Sequence, residues 1–376
     1  MFFSKKKDYS IDIETFILDN MSYTNHFATR AVNGDIEAIK KAINDIKIPV
    51  TVEKFVDGPL RYMFYMRPNK LTDYEKLLKQ QNVFAIAFKT SDIRLYIEGE
   101  YVVLEVPGAE NTIRVADLLR NDEYKKANGL KVAIGMKSDG SILLDDIVDM
   151  PHMLIAGTTG SGKSVLMHQL ICSLLINHNP SNIQLYLIDP KMVEMPLYSS
   201  LPNCKVVSTT EKAIKLLDEL CTEMDVRYQT LNRWKCRDIE SYNSKAKKPM
   251  KRKVVFIDEL ADLILTSKKA VESSIVRLAQ KARACGIHLV VATQRPDRTV
   301  VTGLIKTNIP VKACLSVNTG IDSRIVLDRT GAENLTGKGD MLYLGTGMTE
   351  PVRCQGGYIS ETEIKNIVYS LGKEVY

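Results

Sequence analysis

Eight residues, Gly157-Thr158-Thr159-Gly160-Ser161-Gly162-Lys163-Ser164, constrain this chain more than any others. They match G-x-x-x-x-G-K-[ST] at every fixed position, a spacing whose glycines let backbone N–H groups close around the phosphates of a nucleotide. In that chemistry Lys163 reaches the β- and γ-phosphates and the Ser164 hydroxyl binds Mg²⁺. Such a loop works between a strand and a helix. The apolar run Met153 to Ala156 precedes it and a helical pattern, Lys163 to Ile176, follows it. The predicted cofactors are ATP and Mg²⁺.

The surroundings point the same way. From Pro151 onward short apolar runs alternate with amphipathic stretches: Met153 to Ala156, Gln184 to Ile188, Val254 to Ile257, His288 to Ala292 and Val311 to Val317. This alternation predicts an α/β domain with a mostly parallel sheet flanked by helices. A helix from about Ala270 places Val271, Ile275, Leu278, Ala279 and Ala282 on one face and stops at Gly286. Upstream, a helical pattern over Asp35 to Ile46 leads into β-rich runs at Ile48 to Phe55, Arg61 to Met66 and Tyr101 to Val106. A chain of 376 residues suits two domains. The expected division is an N-terminal segment (1–29), a small α+β domain (30–148) and a P-loop ATPase domain (149–376).

The buried run Lys253-Val254-Val255-Phe256-Ile257 ends in Asp258-Glu259, at the strand end where parallel sheets carry their sites. Asp258 is expected in the Mg²⁺ shell, and Glu259 is expected to orient and deprotonate the attacking water. A dedicated base argues for hydrolysis over a nucleotide-dependent scaffold. Gln294, just past another strand, is either a γ-phosphate sensor or a capped strand end. Arg283 is either an arginine finger or a cation favoured by the negative end of its helix.

Composition narrows the class. No apolar stretch approaches membrane-spanning length, and the start MFFSKKKDYS has no signal-peptide core, so a cytoplasmic protein is expected. The seven scattered cysteines show no metal-ligand spacing. Net charge is +6, yet residues 225–253 hold ten Lys or Arg against three Asp or Glu, so the rest is nearly neutral. That strip reads equally as a nucleic-acid patch or a solvated loop.

Taken together, PHMLIAGTTGSGKS, LIDPKMVE, VVFIDELADL, RLAQKARACGIHLVVATQRP, GLIKTNIP, IDSRIVLD and GKGDMLY resemble, in order, the motor region of the FtsK/SpoIIIE DNA translocases. DGPLRYMFYMRPN and IEGEYVVLEVP are similar to that family's α-domain. The resemblance implies a RecA-like P-loop ATPase assembled as a hexameric ring around double-stranded DNA. It gives Lys163, Ser164, Asp258, Glu259 and Gln294 the roles above, makes Arg283 a finger on a neighbour's nucleotide, and puts Arg295, Lys306 and Arg324 on the DNA backbone. Gly320 stands where relatives carry a basic residue, which weakens the expected grip. No counterpart of the family's membrane domain or winged-helix module is visible, so the expectation is a motor of a mobile element or conjugation system docked by a separate partner. The alternative from the same resemblance is a motor for type VII protein secretion.

Overall fold

The computed structural model describes residues 33–58, 60–108, 112–125 and 129–373, and the expected segment 1–29 lies outside them. In chain order the strands are β1 (Val50–Asp57), β2 (Arg61–Pro68), β3 (Arg94–Glu98), β4 (Tyr101–Pro107), β5 (Lys131–Lys137), β6 (Ile142–Asp146), β7 (His152–Ala156), β8 (Ile183–Ile188), β9 (Cys204–Val207), β10 (Arg252–Ile257), β11 (Ile287–Thr293), β12 (Val311–Leu315), β13 (Asp340–Leu344) and β14 (Val352–Gln355). They form two sheets. The larger has the order β6-β5-β14-β13-β12-β7-β11-β10-β8-β9.

Within it, β9, β8, β10, β11, β7 and β12 are parallel neighbours, and β13 and β14 continue antiparallel. Apart from the edge strand β9, the parallel strands are the apolar runs of the sequence, as a sheet covered on both faces requires. β7 and β11 are buried at every position. The helix Lys163–Asn177 is enclosed almost all round, so its polar side chains need partners. Gln169 finds them: its amide donates to the carbonyls of Ala133 (2.6 Å) and Ile134 (3.0 Å), and its carbonyl accepts from Gly357 N–H. The expected α/β architecture is present.

The smaller sheet, β1-β2-β4-β3, is antiparallel throughout. Helices Asn33–Ile46, Thr72–Leu78 and Gln81–Phe88 supply its core with Ile39, Ala42, Leu77, Phe84 and Phe88, packed against Tyr62, Phe64, Met66, Val102 and Leu104. Alternate β2 and β4 residues, Met63, Tyr65 and Val103, form a second cluster on the opposite face. This is the predicted small α+β domain.

Its boundary differs from the expected residue 148. One compact unit takes Arg114–Gly135 and everything from Leu143, whereas the small unit runs to Ile113 and adds Met136–Ile142. The reason is pairing: β5 and β6 extend the large sheet, while Ser138 donates a hydrogen bond to Glu105 in the small unit. Two further bounds move. Non-helical backbone at Ser267 divides Leu260–Lys281 into two helices, so the helix expected from about Ala270 is the second of them, but it ends at Lys281 rather than at Gly286, and the strand expected to Val317 ends at Leu315. Among the described residues no helix is long and apolar enough to cross a membrane.

Candidate active site

The phosphate loop follows β7 directly, and its glycines are required by the backbone. Gly160 (φ +81°) and Gly162 (φ +102°) lie in the left-handed region, and a Cβ on Gly162 would come within 2.4 Å of Gly339 N. Remote segments hold the loop from behind. Thr158 N–H donates to Ser316 O (3.0 Å) beyond β12, and Gly339 N–H donates to Ser161 O (2.7 Å). Lys338, at φ +51°, is an exposed cation on the same turn, and its N–H points at Gly160 O (3.4 Å). Sequence reasoning noted this stretch, GKGDMLY, as family-like but gave it no role; its two glycines flank a residue at positive φ and are themselves at positive φ.

Lys163 opens the helix with its side chain buried, and its ammonium donates to Asp258 Oδ1 (2.8 Å) and to Asp258 O (2.7 Å). Both side chains are buried, and removing either would leave the other charge uncompensated in the interior. The β10 tip therefore reaches the phosphate loop.

Glu259, 3% exposed, is gripped from three directions. Its Oε1 accepts from the Thr293 hydroxyl (2.7 Å) and from Ala261 N–H (3.2 Å), and its Oε2 accepts from Gln294 N–H (2.9 Å). Glu259 thereby caps the helix Leu260–Lys281 and joins β10 to β11 across their tips. The Gln294 side chain reaches the phosphate loop, where the Thr159 hydroxyl donates to its Oε1 (3.0 Å). Thr293 is a site residue that sequence reasoning did not single out, because its bond to Glu259 spans 34 residues.

The turn after β8 closes the other side. Glu194 Oε2 lies 3.1 Å from His168 Nε2. The His168 contact holds the Glu194 carboxyl below its ordinary range, against the opposing effect of burial.

The remaining candidates lie elsewhere. Arg283 precedes the first residue of β11, at the far edge of the sheet, with Nη2 3.8 Å from Asp149 Oδ1 and Nε donating to Val148 O (3.3 Å). Seven strand residues, about 20 Å, separate it from the tips, so it cannot serve its own chain's phosphate loop. Arg295 is exposed beside the strand tip, its N–H bonded to Thr293 Oγ1 (3.1 Å). Lys306 and Arg324 are brought together: Lys306 Nζ donates to Arg324 O (3.1 Å) and to Asp328 Oδ1 (2.6 Å), leaving Arg324 exposed. In the basic strip Arg227 is buried, with its guanidinium on Glu223, Cys285 O and Lys251 O, and Lys253 pairs with Glu223. Its exposed cations include Arg233, Lys235, Arg237, Lys247 and Lys248.

The oxygen donors suit Mg²⁺. Ser164 and Asp258 offer hard ligands beside a phosphate cradle, and Mg²⁺ takes few protein ligands, relying on phosphate and water for the rest. Among the described residues no group of three or more His, Cys, Asp or Glu could hold a metal unaided.

Comparison with known proteins agrees with this geometry. The sequence profile of the FtsK/SpoIIIE family matches residues 114–298, starting where the larger unit starts. The DNA translocase FtsK of Campylobacter jejuni serotype O:2 is 38% identical over 375 residues, 97% of this chain and 40% of that protein. The chain thus spans less than half of that relative. Among solved structures, the monomer form of the pCW3 conjugation coupling protein TcpA with ATPγS superposes with a TM-score of 0.63 at 24% identity, covering 89% of this chain and 98% of that one. The cytoplasmic domain of the Thermomonospora curvata type VII secretion ATPase EccC gives 0.62 at 23% identity, covering 70% and 34%. At such identities the two structures establish the fold alone, a P-loop ATPase fold. With its motifs, site geometry and sequence relatives in agreement, the chain belongs to the FtsK/SpoIIIE family.

Proposed function

We propose that this chain is an ATP-hydrolysing motor that moves along double-stranded DNA. The observation that carries the reading is Glu259, a buried carboxylate fixed at the strand tips by Thr293 and Gln294 while Gln294 also touches the phosphate loop. A protein that only bound nucleotide would not need a buried acid so placed. The sequence relative favours DNA over protein as cargo, since the DNA translocase is 38% identical whereas the secretion ATPase shares the fold alone.

In this reading ATP enters at the N-terminus of the helix Lys163–Asn177, where unpaired backbone N–H groups favour anions. Lys163 then exchanges the Asp258 carboxylate for phosphate oxygens, freeing Asp258. Ser164 and Asp258 would hold Mg²⁺, which supplies charge neutralisation at the phosphates. Glu259 orients the attacking water and accepts its proton, and Gln294 reports the γ-phosphate to the phosphate loop. Arg283, excluded from its own site by the length of β11, serves a neighbour's, which makes a ring of subunits part of the proposal. Arg324, with Lys306 and Arg295, contacts the DNA backbone without reading bases.

The test is ATP hydrolysis by the purified protein with and without duplex DNA. Stimulation by duplexes of unrelated sequence is expected. Hydrolysis indifferent to DNA would remove DNA as the cargo, and no hydrolysis in either condition would remove the motor.

A further inference from the structure

The segment Thr336-Gly337-Lys338-Gly339-Asp340 leads into β13 and lies against the phosphate loop. Its three central residues are all at positive φ: Gly337 at +82°, Lys338 at +51° and Gly339 at +97°. Glycine takes such a backbone freely, but a lysine is strained there and keeps it only where the surroundings fix it. They do. Asp340 and Arg353 are both buried, with Arg353 Nε donating to Asp340 Oδ1 (2.9 Å) and Nη2 to Oδ2 (2.6 Å). The same Oδ2 accepts from Thr336 N–H (2.9 Å) and from its hydroxyl (3.0 Å), which closes the turn. From β14 and just beyond it, Gln355 Nε2 donates to Lys338 O (2.7 Å) and Gly356 N–H to Gly339 O (2.8 Å).

This frame roots Lys338 beside the phosphate cradle. Gly339 N–H donates to Ser161 O (2.7 Å), and Lys338 N–H points at Gly160 O (3.4 Å). A Cβ on Gly162, the residue before Lys163, would stand 3.1 Å from the Lys338 carbonyl carbon, so the two backbones touch at the start of the phosphate-loop helix. The Lys338 side chain is exposed, and its four-carbon stem gives it reach; Gly160 offers open space where another residue would carry a side chain. The ammonium makes no hydrogen bond or ion pair among the described residues. Lys163, by contrast, is buried and held by Asp258. Of these two lysines one is locked and the other is open to a ligand.

Strain, a buried supporting pair and an open cation converge on the same loop. We infer that Lys338 is a second phosphate-binding residue of the nucleotide site. It meets the phosphate chain of an incoming nucleoside di- or triphosphate while Lys163 is still paired with Asp258, and it adds a charge-assisted hydrogen bond to the bound complex. This rests on the reading that the phosphate loop binds nucleotide. It gives the GKGDMLY stretch a ligand of its own, beyond its support of the loop.

The experiment measures ATPγS and ADP affinities over a range of salt concentrations for wild type, Lys338→Asn and Lys338→Arg. Asparagine accepts the left-handed backbone, so Lys338→Asn removes the charge and keeps the turn. At low salt its affinity should fall about 10- to 100-fold, the range of one hydrogen bond to a charged partner. The gap to wild type should narrow as salt rises, and Lys338→Arg should stay within a few fold of wild type. Should Lys338→Asn not fold, Lys338→Gly, better suited still to positive φ, makes the same comparison. A folded neutral variant that binds both nucleotides as wild type does would overturn the inference. So would a loss that salt does not narrow or that Lys338→Arg shares, which would mark Lys338 as a prop of the turn. A wild type that binds neither nucleotide would overturn the underlying reading instead.

Discussion

The C-terminal tips of the parallel sheet and a histidine pair at its other edge solve opposite electrostatic problems. At the C-terminal tips of β7, β10 and β11, buried charges are retained and each is paired: Lys163 with Asp258, and Glu259 with Thr293, Gln294 and Ala261. At the N-terminal edge, where Arg227 is also buried and held by Glu223, Cys285 O and Lys251 O, two histidines are kept neutral. His152 Nδ1 accepts from Leu289 N–H (3.1 Å), and the rings of His152 and His288 stand 6.5 Å apart with both Nε2 atoms buried and, among the described residues, without a partner. Burial, with smaller contributions from neighbouring cations, pushes both imidazoles down to about 3. Holding charge in a dry interior is costly and demands partners from several segments; at the tips those partners come from the phosphate loop, β10 and β11, the elements that build the site.

Arg283 tests this contrast most severely, because it stands at the edge of the histidine pair yet is assigned to catalysis. If it acts on a neighbouring subunit, Arg283→Ala should lower turnover by about 10³- to 10⁵-fold with ATP still bound. Mixing it with Glu259→Gln before assembly should restore hydrolysis at interfaces that combine one intact site with one intact finger. No recovery in a demonstrably mixed oligomer would return the far edge to a purely structural role.

At the charged end, Glu259→Gln should lose about 10²- to 10⁴-fold in turnover while retaining ATP binding. Lys163→Ala should lose binding and hydrolysis together. Turnover by Glu259→Gln within a few fold of wild type would remove the carboxylate from the reaction.

The histidine pair should appear in stability rather than rate. Two histidines whose folded pKa values lie near 3, against about 6.5 unfolded, contribute stability that is complete above pH 6.5 and is lost as pH falls from there toward 3. The thermal midpoint should drop across that window, and less steeply in His288→Leu. A midpoint flat between pH 6.5 and 4 would contradict the assigned burial.

Smallest is the effect of single DNA contacts. Arg324→Ala should reduce the slope of log affinity against log salt by roughly 0.9, one phosphate's worth. Lys306→Ala should do less, since its ammonium is already spent on Asp328 and the Arg324 carbonyl. Neutralising Lys247 and Lys248 on the strip should leave the slope within error; a larger drop there would move the DNA to the other end of the molecule.

Much of the charged end was legible because its signals are local. The phosphate loop carries its own glycine requirement, and the run ending in Asp258-Glu259 announces a buried strand with acids at its tip. The supports were not legible, since Thr293 to Glu259 and Gly339 to Ser161 are pairings between distant segments of ordinary composition. β5, β6, β13 and β14 escaped for another reason: β5 is itself a buried apolar run, but the four extend the flank of the sheet beyond its parallel core through pairings that no local pattern announces. The same escape displaced the domain boundary, because β5 and β6 leave the small unit to join the large sheet. Arg283 was placed correctly between its helix and β11, but only strand length and direction reveal that this position lies away from its own nucleotide site.

The most direct measurement is displacement of a labelled third strand from the end of a linear duplex. The account predicts that the wild-type protein strips it off in the presence of ATP, regardless of duplex sequence, and that Glu259→Gln binds the same duplex and leaves the third strand in place. A wild-type protein that hydrolyses ATP on duplex DNA without displacing the strand, or displacement that survives Glu259→Gln, would contradict it.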